Sequence, residues 1–441
     1  MTLFISILFI IEFFLLLYYF LFTLFKKGLT FKLGLTFGVL YFIFIPVGVL
    51  LFTGHVPIVK TDFHATTLTD VSLKNDIKAS ITLILYILSF LFYLYFVKER
   101  SYRVKKFRKI SNYFTPKIKL YLTLYIILQF LIISMSGLLK GGDWYTSRHL
   151  FMIRYGTIAV LSIFTLNALK ILIIASFIYL WEIGKLSFLK FIIFVSGFTI
   201  FDMIISGNRI YFFVTFVIIA LLILRKYPVK VLVGFPILAP IVYYLGYFGS
   251  IFRHIRGPLF HQGIPTYEVF KYTLKRAMIL DPPNPISFLL NISESVNFNV
   301  FYNIINKSDK IRTLYGATYL KVFVFFIPRS IWNAKPESIT KIAANYFGSA
   351  SLVTTLFGEL HMNFSYLGIL LLPFILYMAD YILAYFKMNN KMYDYILFIM
   401  GILIFRMPFS DEIITYLFLF IIVYFTVKKY VIKHSGSAKH S

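Results

Sequence analysis

The 441-residue chain contains no cysteine. That absence removes disulfides, thiolate nucleophiles and thiolate metal ligands from consideration. Charge is scarce too. Asp, Glu, Lys and Arg make up 14% of the residues, against about 25% in a soluble domain. Acids are the rarer sign, 18 against 44 Lys and Arg. Soluble-enzyme signatures are missing: there is no G-x-x-x-x-G-K-[ST], no G-x-G-x-x-G, no H-E-x-x-H and no Asp-x-Asp pair. Nucleotide handling and a tightly bound metal therefore lack a motif. The first residues, MTLFISILFIIEFFLLLYYFLFTLFKK, lack a basic n-region, and their apolar run is too long for a cleavable signal. A retained first span is expected there.

What is present is apolar. Hydrophobic residues reach 59%, with 52 Phe and 33 Tyr, and many runs attain the roughly 20 residues that a bilayer core demands. The expectation is an all-α polytopic membrane protein. Hydropathy places spans near 2–25, 31–53, 77–97, 119–137, 157–182, 188–206, 210–225, 229–248, 365–386, 393–408 and 413–428. That makes about 11 transmembrane helices, with 10 or 12 as alternatives because 157–206 divides in more than one way.

The formal charge of +26 is concentrated between spans. Its densest stretch, 98–117 (KERSYRVKKFRKISNYFTPK), is a short basic connection of the kind that stays cytoplasmic, facing anionic lipid and not nucleic acid. The other basic connections fall on alternate span ends. This puts the N-terminus outside and the C-terminus inside. The chain then divides into an N-terminal bundle of about eight spans (1–248), a large extracytoplasmic loop (249–364), about three C-terminal spans (365–428) and a basic cytoplasmic tail (429–441).

The loop exceeds 100 residues and carries twelve Lys and Arg against six acids. Long loops escape the positive-inside rule, and structureless loops of this length are usually functional. Its composition predicts a folded subdomain, with amphipathic helices over 266–280, 286–306 and 337–357 and an apolar stretch at 315–327 too short to span. No repeat of transporter type is visible.

Ionisable residues facing a membrane bundle are expensive and mark sites by default. Arg209 follows Ser206-Gly207-Asn208 at an external boundary, where a guanidinium can fork onto phosphate oxygens. A snorkelling arginine, or one paired with Asp202, is the alternative. Arg253 and Arg256, three residues apart around His254, suit a pyrophosphate or simply open a solvated loop. Arg329 lies in Ile327-Pro328-Arg329-Ser330-Ile331-Trp332 with Lys335-Pro336 following, an irregular turn between two prolines. Trp332 could stack on a sugar or sit at headgroup level. Gly358-Glu359-Leu360-His361-Met362-Asn363 closes the loop. A glycosyl acceptor hydroxyl needs a base, and Glu359 or His361 is the usual kind. The two face each other on an extended turn but not on a helix. Asp202, Asp380 and Arg406 are expected to pair within the bundle.

These residues resemble the Wzy-type oligosaccharide repeat-unit polymerase family, the O-antigen and capsular polysaccharide polymerases. The likeness is carried by SGNR (206–209), YGATYLKVFVFFIPRSIWNAKPES (315–338) and FGELHMNFSYLG (357–368), with the family's Pro-Arg, aromatic, Lys-Pro, Gly-Glu and Asn-Phe-x-x-x-Gly in order. One departure is His361, where relatives often carry a tyrosine. The resemblance implies a GT-C-like glycosyltransferase in the inner membrane, without metal or other cofactor. Its substrate is oligosaccharide on undecaprenyl pyrophosphate, and a flippase and a chain-length regulator are its expected partners. It gives Arg209, Arg329 and Lys335 the pyrophosphate and Glu359 or His361 the role of base. Trp332 and Asn363 fall on the substrate side, and Arg253 and Arg256 join by charge and position. An O-antigen ligase and a lipid-linked oligosaccharide flippase are the alternatives.

Overall fold

The computed structural model describes residues 1–58, 67–97, 117–136, 144–206, 210–229, 266–279, 284–327, 331–348, 352–385 and 391–437, with isolated positions between 240 and 264. They are overwhelmingly helical, and the strands among them are the two-residue pair His55–Val56 (β1) and Val71–Ser72 (β2). Among the described residues, five segments are long and apolar enough to cross a membrane: Thr2–Lys26, Phe31–Thr53, Ile77–Phe96, Ile118–Ser136 and Arg154–Glu182. A shorter apolar helix covers Leu367–Leu383. The chain is a helical membrane protein. Two compact units divide it, and each is described separately.

The first unit joins Met1–Thr115 to Leu289–Ser441. Helix α1 (Thr2–Lys26) spans about 37 Å at 1.5 Å per residue, enough for the hydrocarbon core. Gly28, at φ 83°, turns the chain, and Thr30 starts the next helix by accepting the Leu33 N–H at 3.2 Å. Helix α2 (Phe31–Val39) runs through a π-turn (Leu40–Phe44) into α3 (Ile45–Thr53), and left-handed Gly54 ends it.

Lys32 is buried, yet its ammonium is not stranded. It donates to the carbonyls of Tyr93, Leu94 and Val97 at the end of α4 (Ile77–Phe96). The Tyr93 carbonyl also accepts the Val97 N–H at 3.3 Å, and the C-terminal dipole of the helix favours a cation here.

The second region of this unit contains α11 (Val296–Asn306), α12 (Ala317–Val324), α13 (Ile339–Phe347), α14 (Leu356–Phe364), α15 (Leu367–Tyr385), α16 (Lys391–Arg406) and α17 (Phe409–Ser437). Helix α10 (Pro285–Ile292) precedes them. The amphipathic run at 286–306 is thus two helices, because Glu294 adopts φ 51° between them. Its carboxylate accepts Arg406 Nε and Nη2 at 3.2 and 3.0 Å, so Arg406 is paired, but with a residue of the 249–364 segment and not with one of the expected spans. Within 337–357 the described residues are helical over α13 (Ile339–Phe347) and again from Leu356, where α14 begins. Capping sets its start: Ser338 accepts the Lys341 N–H, and left-handed Gly348 follows its end. Val300 and Ile304 of α11 pack with Ile339, Ala343 and Phe347 of α13 and Met362 of α14, in one apolar cluster with Leu68.

Helix α16 lies directly on α2. A Cβ on Gly34 would sit 2.2 Å from the Phe398 carbonyl oxygen, and one on Gly401 2.5 Å from that of Phe31. Only glycine allows backbones this near, as in the small-xxx-small contacts of membrane helices.

The second unit is Pro116–Phe288. It holds α5 (Ile118–Ser136), α6 (Trp144–Glu182, broken at Gly156), α7 (Phe188–Ser206), α8 (Ile210–Lys226) and α9 (Thr266–Ile279). Lys170 and Asp202 are almost fully buried and meet at 2.7 Å, and the Tyr125 hydroxyl donates to the same carboxylate at 2.8 Å. Asp202 is therefore paired inside its bundle, since an isolated buried charge would be too costly. The span expected at 229–248 lies largely outside the described residues.

Candidate functional site

The polar residues that open and close the 315–368 block meet around α14. Thr355 caps this helix by accepting the Gly358 N–H at 3.3 Å, and every residue from Leu356 to Asn363 is buried. A helix with no exposed face sits inside the fold, so its polar side chains need partners or carry function.

Glu359 has partners. It is 0% exposed. Its Oε1 accepts the Thr318 hydroxyl at 3.2 Å, and both oxygens accept the Ser410 N–H at 3.3 Å. Ser410 is the second residue of α17, so the carboxylate occupies that helix's N-terminal end, where unpaired N–H groups and the dipole favour negative charge. Asn363 Nδ2 donates to Thr318 Oγ1 and to the Glu359 carbonyl, both at 2.8 Å. Asn363 thus holds Thr318, and Thr318 holds Glu359. Burial pushes the Glu359 carboxyl up to about 7, against the hydrogen bonds from Ser410.

His361 is different. It is 3% exposed, and neither ring nitrogen has a hydrogen-bond partner among the described residues. Its ring meets Tyr86 of α4 edge-on at 6.3 Å and Tyr366 at 5.2 Å. Burial first, and the Lys78 charge second, bring the imidazole down to about 4, so it is neutral at pH 7. Two residues on a helix point about 200° apart, and His361 accordingly faces away from the Thr318–Ser410 side. The block is helical here rather than extended, so the acid and the imidazole do not confront each other. Ser365, at φ 51°, ends α14 by giving its N–H to the His361 carbonyl at 2.7 Å. Such a conformation in a non-glycine residue stores strain. Tyr366 follows it, 45% exposed, and connects the His361 ring contact to the surface.

Lys335 donates to the carbonyls of Phe325 and Ile327 at 2.7 and 2.8 Å, just past α12. It ties the irregular turn back to the helix end, again a cation on C-terminal carbonyls. Trp332 is half-buried in that turn, and its carbonyl accepts the Lys335 N–H. Lys321 of α12 pairs with Asp411 of α17 at 2.5 Å. Arg209, Arg253, Arg256 and Arg329 lie outside the described residues. Among the described residues, no three His, Asp or Glu side chains are grouped to hold a metal.

Sequence reasoning missed Thr318, Ser410, Tyr86 and Tyr366. Ser410 had a legible signal, because Pro408-Phe409-Ser410-Asp411 reads as a helix start. Tyr86 had none, sitting 275 residues away in an unrelated span. The chain matches no family model, no curated protein and no solved structure.

Proposed function

We propose that the protein is a metal-independent glycosyltransferase that polymerises oligosaccharide repeat units carried on undecaprenyl pyrophosphate. The reaction belongs to the external face of the inner membrane, in a GT-C-like chain of about eleven spans with the N-terminus outside and the C-terminus cytoplasmic. In each cycle an acceptor hydroxyl oxygen bonds to the anomeric carbon of the growing chain. The bond from that carbon to the pyrophosphate breaks, its electrons leave with the pyrophosphate, and the hydroxyl proton passes to a base.

His361 is the base. The observation that carries this reading is its neutral, nearly buried imidazole with both nitrogens uncommitted, inside the block that resembles the polymerases. A neutral imidazole presents a ring nitrogen that can take the hydroxyl proton, and its lowered proton affinity favours release of that proton after the transfer. Glu359, with its oxygens engaged by Thr318 and Ser410, anchors α14 to α17 and fixes where His361 sits. Tyr366 must swing aside to admit the acceptor. Following the resemblance, Arg209 and Arg329 are assigned to the leaving pyrophosphate, and Arg253 and Arg256 are added for their charge. Fixed cations are what departure of a dianion requires in the absence of metal. Lys335 ties the Trp332 segment to the end of α12, and Trp332 offers its face to a sugar.

The test is made in cells. Arg329→Ala and Arg209→Ala are expected to leave membrane levels of the protein normal while single lipid-linked repeat units accumulate. Long-chain polymer of normal length from both variants sinks the assignment.

A further inference from the structure

Helix α1 carries a single acid, Glu12, on the face it packs into the first unit, between Phe9 and Leu16. The residue is 2% exposed, and neither carboxyl oxygen has a hydrogen-bond partner among the described residues. Along the helix it stands about 15 Å from Thr2 and about 21 Å from Lys26. In a candidate membrane span of this length, that is near the middle of the roughly 30 Å hydrocarbon core. Lys32, the buried cation of the neighbouring helix, is engaged by the α4 carbonyls. A charged carboxylate at such a depth is costly without a cation, and an acid kept there is a functional candidate by default.

A second irregularity lies at the same level. Phe13 meets the Phe44 ring at 5.7 Å and Phe20 meets Phe37 at 6.1 Å, so α1 runs antiparallel to α2 and α3. That register sets Glu12 level with Phe44 and Ile45, where the π-turn ends and Pro46 follows. Pro46 has no N–H to give the Phe42 carbonyl one turn back, and π-turns recur at functional sites. Helical carbonyls point along the axis towards the C-terminus, which brings the Phe42 oxygen to the depth of the carboxyl. The titratable groups that α4 and the π-turn bring alongside are phenols, uncharged at neutral pH. Tyr95 donates to the Leu15 carbonyl at 3.1 Å, and Tyr41 to the Ile292 carbonyl at 2.9 Å.

We propose that Glu12 is an intramembrane proton-binding site, a carboxyl that takes its proton from water and holds it towards the Phe42 carbonyl. The proton supplies the donor that both oxygens lack. One carboxyl and one carbonyl fall short of the roughly six oxygens that a hard metal ion collects. The site is independent of the glycosyl transfer proposed above.

The full-length protein in nanodiscs is treated with dicyclohexylcarbodiimide, an apolar reagent that consumes protonated carboxyls. The acid O–H adds across one C=N bond, oxygen to carbon and proton to nitrogen. The acyl group then moves from oxygen to the other nitrogen, leaving a stable N-acylurea that mass spectrometry maps. At pH 7 an exposed glutamate is protonated in about one molecule in 500, so label on Glu12 is expected about tenfold or more above that on exposed Glu268. Label on Glu12 no greater than on Glu268 overturns the site. Label lost in sodium chloride but kept in equal potassium chloride marks a sodium site and overturns it too. Infrared spectra give the second readout. Glu12→Gln copies the neutral acid in shape, and it is expected to keep the fold and remove one protonated-carboxyl C=O band. In the native protein that band is expected to shift down in D2O; a band that ignores D2O is a sealed acid and overturns proton exchange. Pro46→Ala returns an N–H to the Phe42 carbonyl and is expected to shift the same band, whereas an unmoved band overturns the pairing with the π-turn.

Discussion

Glu359 and His361 sit two residues apart and titrate in opposite senses. Glu359 is raised from an ordinary 4.5 to about 7, so the folded protein holds its proton more tightly than the unfolded chain. Its stabilising contribution is complete below 4.5 and is lost as pH rises towards 7. His361 is lowered from 6.5 to about 4, so the unfolded chain binds its proton more tightly. Its contribution is complete above 6.5 and is lost as pH falls towards 4. Each swing is worth about 3 kcal/mol at most, and between 4.5 and 6.5 the two oppose one another. Thermal midpoints in detergent from pH 4.5 to 8 separate them. Glu359→Gln is expected to flatten the fall on the alkaline side, and His361→Gln the fall on the acid side. An unchanged alkaline slope in Glu359→Gln contradicts the buried carboxyl described here.

Between elements, backbone proximity and buried charge do the work. Gly401→Ala on α16 would drive a methyl into α2 backbone, which cannot yield as a side chain does, and the cost is about 1–3 kcal/mol or more. Gly197 in α7 has open space around it, so Gly197→Ala is expected to be stabilising by up to ~1 kcal/mol. Lys170→Met leaves Asp202 as an uncompensated buried charge and should cost about 3–5 kcal/mol, most of it recovered by adding Asp202→Leu. Scanning fluorimetry of the four purified variants checks all of these.

Helix positions were legible in the amino-acid order because run length is a local signal. The spans read at 77–97 and 188–206 are the helices Ile77–Phe96 and Phe188–Ser206. The close approach of Gly34 and Gly401 went unread, because the two glycines lie 367 residues apart. The same limit hid Glu359's anchor. Ser410 lies 51 residues along the chain, and the contact exists only because α17 begins where α14 is buried. The break at Glu294 escaped because apolar periodicity continues across it.

For the whole molecule, topology decides whether the site meets its substrate. With no native cysteine, introduced thiols report on a silent background. A membrane-impermeant maleimide added outside is expected to label Lys310→Cys, an exposed position, and to spare Ser111→Cys in the basic connection. The reverse pattern inverts the assigned orientation. The central claim, block polymerisation with His361 as base, is tested most directly by reconstitution. The purified protein is placed in liposomes with a single lipid-pyrophosphate-linked repeat unit and no added metal, and the products are resolved on a gel. The predicted result is a ladder of repeat multiples from the native protein and single units only from His361→Ala. A ladder of normal length from His361→Ala, or none from the native protein, contradicts it.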